Sequence, residues 1–183
     1  MLSEDELVSN AILLLFAGHE TTTNLIGNGM YWLLRHPAEY ERLRDDPALV
    51  GSAIEEMLRY DGPSSAGVRI AAEELELHGT RIGKGDRIFF MLNAANRDPR
   101  QFPDPERFDV TRHPNRHLAF GHGIHFCLGA PLARLEGQIA VASLLRRLPD
   151  LALVNERGDW NDSLVLRGLR SLPLTFRPTS PVD

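Results

Sequence analysis

The densest apolar patterning of the chain begins directly after Ser3. Ser3 followed by Glu6 has the form of a capping box, in which a hydroxyl and a carboxylate each take a free amide at a helix start. From there the pattern predicts one helix to about Arg35, where His36-Pro37 stops it. At ~1.5 Å per residue that helix is about 48 Å long. Its middle, AILLLFAGHETTT, is apolar nearly all round, which predicts burial on several sides rather than along one stripe. Pro37 opens a shorter helix through AEYERLRDD, and Pro47 opens another through about Tyr60. Between Gly67 and Phe90 the period changes. GVRIA, LELHG, TRIG and DRIFF are strand-like pieces divided by Gly79, Gly83 and Gly85. MLNAANRD reads as a short helix. PRQFPDPERFDVTRHPNRH reads as a Pro-rich ordered loop anchored by Phe102 and Phe108. APLARLEGQIAVASLLRRL has the apolar stripe of an amphipathic helix. The tail segments DLALV and LVLRGLRSLPLTFRP read as strands. The expected fold class is mainly α with a small β-sheet region.

Composition narrows the function classes. With 183 residues, 43% apolar and 25% charged, the chain can bury a core as an ordinary globular domain. A net charge of −5 argues against an electrostatic grip on nucleic acid. The longest apolar run, AILLLFA, is far short of the ~20 residues that span a bilayer, so no membrane partner is expected. MLSEDEL lacks the basic start and apolar core of a signal peptide. One cysteine allows no internal disulfide, which suits a reducing cytoplasm.

That cysteine, Cys127, lies in FGHGIHFCLG, directly before the helix that starts near Ala130-Pro131. A thiolate at a helix N-terminus is stabilised by the helix dipole and by free N–H groups. Gly121, Gly123 and Gly129 let backbone come close to something flat or bulky. Phe120 and Phe126 suit the edge of a planar ring, and His125 suits an anionic substituent. A metal-ligating thiolate under a planar group is one reading. Two others stand beside it: a small buried hydrophobe in a turn, and a zinc site shared with His117, His122 and His125. The zinc reading lacks a C-x-x-C pair and the usual two-and-two ligand pattern.

Two further signals lie on helices. AGHETTT places Gly18, Glu20 and Thr21 inside an apolar helix, where glycine costs about 1 kcal/mol relative to alanine. A Thr21 hydroxyl reaches the Ala17 carbonyl one turn back. The expected result is a local opening of the helix with a polar lining, suited to binding and protonating dioxygen. A polar stripe against a neighbouring helix explains the same residues. EEMLR sets Glu56 and Arg59 three apart in an apolar setting, unlike the ordinary surface pairs of EYER and ERLR.

The order AGHETT, EEMLR, PERF, FGHGIHFCLG resembles the cytochromes P450, the haem-thiolate monooxygenases, in their soluble bacterial branch. The loop pattern F-G-x-G-x-H-x-C-x-G is matched by Phe120, Gly121, Gly123, His125, Cys127 and Gly129. The resemblance covers essentially the whole chain, as the C-terminal half of that fold, so residues 1–183 are expected to be part of a single P450 domain whose N-terminal helices are absent here. It implies haem b (iron protoporphyrin IX) with Cys127 as axial iron ligand, the thiolate that pushes electron density towards O–O cleavage. It implies an oxygen groove of Gly18, Glu20 and Thr21, with the last two managing proton delivery. It implies a buried architectural salt-bridge cluster of Glu56, Arg59 and Arg107, and contacts from Arg69 and His125 to the haem propionates. Phe120, Gly121 and Gly129 shape the haem pocket in this reading. PSSAGV and VLRGL correspond to segments that touch a small organic substrate. A ferredoxin or other redox partner, fed by an NAD(P)H-dependent reductase, is the implied electron donor. The missing half implies that the outer apolar faces of residues 8–34 lack packing partners. It also leaves open a truncated haem-binding fragment without turnover.

Overall fold

In a computed structural model of the chain, which describes residues 2–177, five α-helices carry the core and eight short strands flank it. Helix α1 spans Glu4–Arg35 and begins with the expected capping box: the Ser3 amide donates to Glu6 Oε2 at 2.8 Å and the Glu6 amide to Ser3 Oγ at 3.2 Å. Helix α2 is Pro37–Asp45. Pro47 opens a single 3₁₀ turn, Pro47–Leu49, with Ala48 capped by the Asp46 carboxylate, and helix α3 follows as Val50–Asp61. Helix α4 is one turn, Leu92–Ala95, and α5 is Ala130–Arg147.

Three helices meet at close range. A Cβ on Gly29 of α1 would sit 2.5 Å from Met57 Sδ of α3, so only glycine admits that contact. A Cβ on Gly137 of α5 would stand 3.2 Å from Ile54 Cδ1 and 3.5 Å from Leu25 Cδ2. Leu25, Ile54, Met57 and Val141 are buried where these helices touch. Beside them Phe108 packs edge-on to Tyr60 at 5.2 Å and stacks on His36 at 5.1 Å, and Phe102 is buried as well. Both expected anchors of the Pro-rich loop therefore hold it down.

The strands form four separate antiparallel pairs among the described residues. β1 (Ala66–Ile70) pairs with β4 (Arg87–Met91), and β2 (Leu75–Leu77) with β3 (Thr80–Ile82). β5 (Ala152–Leu153) pairs with β8 (Leu174–Thr175), and β6 (Asp159–Trp160) with β7 (Leu169–Ser171). Of the expected tail strand 164–178, residues 164–168 are irregular apart from an isolated bridge between Leu166 and Ser64. They still bond to the segment after α3, with the Ser65 amide donating to Val165 and the Arg167 amide to Pro63. Pro178, the last residue of that stretch, lies outside the described residues.

Three expectations need correcting. Helix α1 is not buried along its length: burial begins at Leu25, while the apolar residues between Leu7 and Phe16 are exposed, Leu15 by 75%. Nothing in the described chain packs on that part, because α3 and α5 meet only its C-terminal half. Helix α1 also runs without a break past Thr21, although the Thr21 hydroxyl does donate to the Ala17 carbonyl at 2.8 Å. A carbonyl has two lone pairs and takes the hydroxyl without giving up its amide. Helix α5 is less amphipathic than expected: Val141 and Gly137 face the core, but Leu132, Leu135 and Ile139 are exposed.

Candidate active site

The Cys127 loop is built by backbone geometry more than by packing. Gly121 and Gly123 take φ of +72° and +70°, left-handed values that a residue with a Cβ rarely adopts. They frame a 3₁₀ turn at Gly123–His125, closed by the Phe126 amide donating to the Gly123 carbonyl at 3.0 Å. The Cys127 amide then donates to the Phe120 carbonyl at 2.9 Å, and α5 begins three residues later with Pro131 in its first turn. Cys127 is a free, exposed thiol, not the buried hydrophobe of the alternative reading.

The thiol opens on a cavity of about 590 Å³, within the range of small-molecule sites. Phe120, Gly121, His125 and Gly129 line it on the loop side, and Ala17, Gly18, Thr21 and Thr22 line it from α1. Around Gly18 nothing stands within 4 Å of where a Cβ would point, and a Cβ on Gly129 would lie 4.0 Å from Cys127 Sγ. Glu20 is half-buried and does not line the cavity. Pro63, Ser64, Ala66 and Gly67 line it from the segment after α3. Residues 165–169 do not, and reach it only through their bonds to that segment. Arg69, also at the wall, lays its guanidinium over the Phe90 ring at 5.1 Å and donates to the Val68 carbonyl at 2.8 Å.

The buried ion cluster is present with one change of membership. Glu56 and Arg59 are both 0% exposed and paired by two bonds, Nε–Oε2 at 2.7 Å and Nη2–Oε1 at 2.8 Å. The other three guanidinium hydrogens go to the Asn96, Pro105 and Arg107 carbonyls at 2.9–3.0 Å, so all five donors are used. Arg107 thus contributes its carbonyl. Its side chain is 57% exposed and lies 3.6 Å from Asp109, so it is not a member of the buried cluster. Arg112, 10% exposed, takes that place at 3.2 Å from Glu56, and Asn115 adds a bond at 3.1 Å. Both lie in the Pro-rich loop, five and eight residues beyond the expected Arg107.

A second network was not legible from the sequence. Glu55, the first acid of EEMLR, receives Arg134 of α5 at 2.6 Å and 2.9 Å and His117 Nε2 at 3.0 Å. Burial by itself would raise the Glu55 carboxyl. The hydrogen bonds from His117 and Arg134, with the Arg134 charge, outweigh it and hold the group at about 2. Arg134 in turn lies over the Phe120 ring at 4.5 Å. Among the described residues no three metal-ligating side chains stand close enough to share a metal ion, which leaves the zinc reading without a ligand set. Nor is any helix among them long and apolar enough to cross a membrane.

Comparison with known proteins follows the same lines. The family model described as Cytochrome P450 matches residues 1–151. Cytochrome P450 monooxygenase PikC of Streptomyces venezuelae is 54% identical over 179 residues, covering 96% of this chain and 43% of that protein. The biotin biosynthesis cytochrome P450 of Bacillus subtilis is 48% identical, covering 96% of this chain and 44% of that one. Among solved structures, P450BioI in complex with an acyl carrier protein ligated to hexadec-9Z-enoic acid superimposes with a TM-score of 0.93 at 48% identity, over 96% of this chain and 46% of that chain. Myxobacterial CYP267B1 in complex with myristic acid gives 0.94 at 51%, over 97% and 45%. The chain spans less than half the length of the relatives it matches. By the matched family model and by these identities, the chain belongs to the cytochrome P450 family.

Proposed function

We propose that residues 1–183 form the C-terminal portion of a single P450 domain and carry the haem-binding and oxygen-handling part of a haem-thiolate monooxygenase. One observation carries the reading: a lone exposed thiol faces, across one cavity, a helix wall kept open by Gly18 and made polar by Thr21. The donor set fits haem b. Among the described residues no other metal-ligating side chains cluster with Cys127, which suits a metal that brings its other ligands with it, as iron in a porphyrin does. Gly129 lines the same cavity beside the sulfur. Arg69 and His125, both at the cavity wall, would take the two propionates, and Phe120 would flank the ring.

When bound, haem-thiolate supplies two-electron activation of O₂, with one oxygen atom entering an organic substrate and the other leaving as water. The chain's own contribution is positional. Thr21 lines the cavity and gives its hydroxyl hydrogen to the Ala17 carbonyl, so towards the cavity its oxygen would act as an acceptor, and it would pass a proton on only by exchanging that bond. Glu20, next in the chain, would resupply it. The electrons would come from a ferredoxin or similar redox partner with an NAD(P)H-dependent reductase, and the substrate would be a small organic molecule.

Haemin titration of the chain under reducing conditions tests the reading. Uptake with a thiolate spectrum, lost in Cys127→Ala, is the expected result. An identical titration in Cys127→Ala contradicts it. A second reading, a haem-binding fragment without turnover, is favoured by the exposed apolar face of α1. With an electron donor and O₂ supplied, peroxide or product that changes in Thr21→Ala supports the monooxygenase. Haem uptake with no consumption of reductant supports the fragment.

A further inference from the structure

The Cys127 loop has little of its own to hold it. Residues 122–129 are exposed, and the loop's internal bonds are few. The bond that sets the position of Cys127 runs from its amide to the carbonyl of Phe120. The placement of Phe120 therefore decides where the sulfur stands, and Phe120 is fixed from outside the loop. Its ring lies under the Arg134 guanidinium at 4.5 Å, a cation–π contact, and 6.1 Å from the His117 ring.

Both of those neighbours are gripped by Glu55. Arg134 uses Nε and Nη2 on the two carboxylate oxygens, the fork-to-fork geometry that fixes direction as well as distance. His117 Nδ1 lies 3.2 Å from the Ala119 amide, which can only donate. Nδ1 is therefore the acceptor, and Nε2 carries the hydrogen given to Glu55 at 3.0 Å. One carboxylate on α3 thereby ties the root of the loop, at His117, to the helix that follows it, at Arg134. The adjacent Glu56 does nothing of this kind: its partners are Arg59, Arg112, Asn115 and the Asp109 amide.

We infer that Glu55 is a positioning residue for Cys127, holding the loop in its ligand-ready shape through Arg134, His117 and Phe120 before any ligand is bound. The purpose of that shape rests on the proposed haem-binding role. The shape itself does not, and it can be measured without haem.

Amide hydrogen exchange of the cofactor-free chain is the test, comparing wild type, Glu55→Gln, Glu55→Asp and Leu43→Ala as a control for general loss of stability. In Glu55→Gln, which keeps the shape and removes the charge, the Cys127 and Phe126 amides are expected to lose protection by roughly tenfold or more. The amide of Leu33 in the core keeps its protection, and Glu55→Asp restores part of the loss at the loop. Unchanged protection of Cys127 in Glu55→Gln overturns the inference. So does a loss spread evenly over loop and core, as in Leu43→Ala. Arg134→Gln removes the same grip from the other side and gives the same readout should Glu55→Gln not fold. Haemin titration of the same proteins separates the two ideas: a wild type that takes up no haemin, beside a Glu55→Gln chain with a loosened loop, contradicts the haem reading and leaves the positioning role standing.

Discussion

At the scale of single residues, two neighbouring acids divide the work behind the Cys127 loop. Glu56 is sealed among Arg59, Arg112, Asn115 and the Asp109 amide, so removing one partner leaves an uncompensated buried charge. Arg59→Ala is expected to cost about 3–5 kcal/mol in chemical denaturation. Arg112→Ala is expected to cost about 2 kcal/mol, while the exposed Arg107→Ala stays within about 0.5 kcal/mol. Equal costs at 107 and 112 would restore Arg107 to the cluster. Glu55 gives a pH signature instead. Its carboxyl titrates near 2 in the folded chain against an ordinary 4.5, so its stabilisation is present above about pH 4.5 and is lost as pH falls towards 2. Solvent reaches the group, which brings its share down to about 1–2 kcal/mol near neutrality. The stability gap between wild type and Glu55→Gln is expected to close across that acid window. A gap that stays constant from pH 7 to pH 2 would contradict the ion pairing.

At the scale of elements, the sequence was clearest where the cause is local. The capping box at Ser3 and Glu6, the prolines at the helix starts and the glycines between the strands each act within a few residues. Pairing was harder to read. β1 and β2 are successive, yet β1 pairs with β4 and β2 with β3, because the chain between them turns back on itself first. Arg112 and Glu55 were missed for a related reason: their partners lie 56 to 79 positions away in the chain, beyond any local spacing. Gly29 belongs here too. Its need for a bare Cα comes from Met57 on another helix, which the α1 pattern does not contain. Gly29→Ala is expected to destabilise by about 1–3 kcal/mol although alanine is the better helix former. An increase in the thermal midpoint would show that α1 and α3 are not in that contact.

At the scale of the whole molecule, the interior and the surface of α1 tell different stories. Leu25, Met30 and Leu33 are buried, but Ile12, Leu14 and Leu15 stand in the open on the same helix, with Leu135 and Ile139 exposed on α5. Apolar surface on this scale promotes association. The 183-residue chain is expected to self-associate with rising concentration in sedimentation velocity, and Leu14→Glu with Leu15→Lys is expected to reduce it. A monomer at every concentration would mean that this face is covered in solution. Everything functional nevertheless depends on what Cys127 binds. The most direct measurement is the absorption spectrum of the haemin-loaded chain after reduction and exposure to carbon monoxide. A strongly red-shifted Soret band that vanishes in Cys127→Ala is the predicted result. A band at the position typical of imidazole ligation, unchanged by that substitution, would contradict sulfur as the ligand and the chemistry built on it.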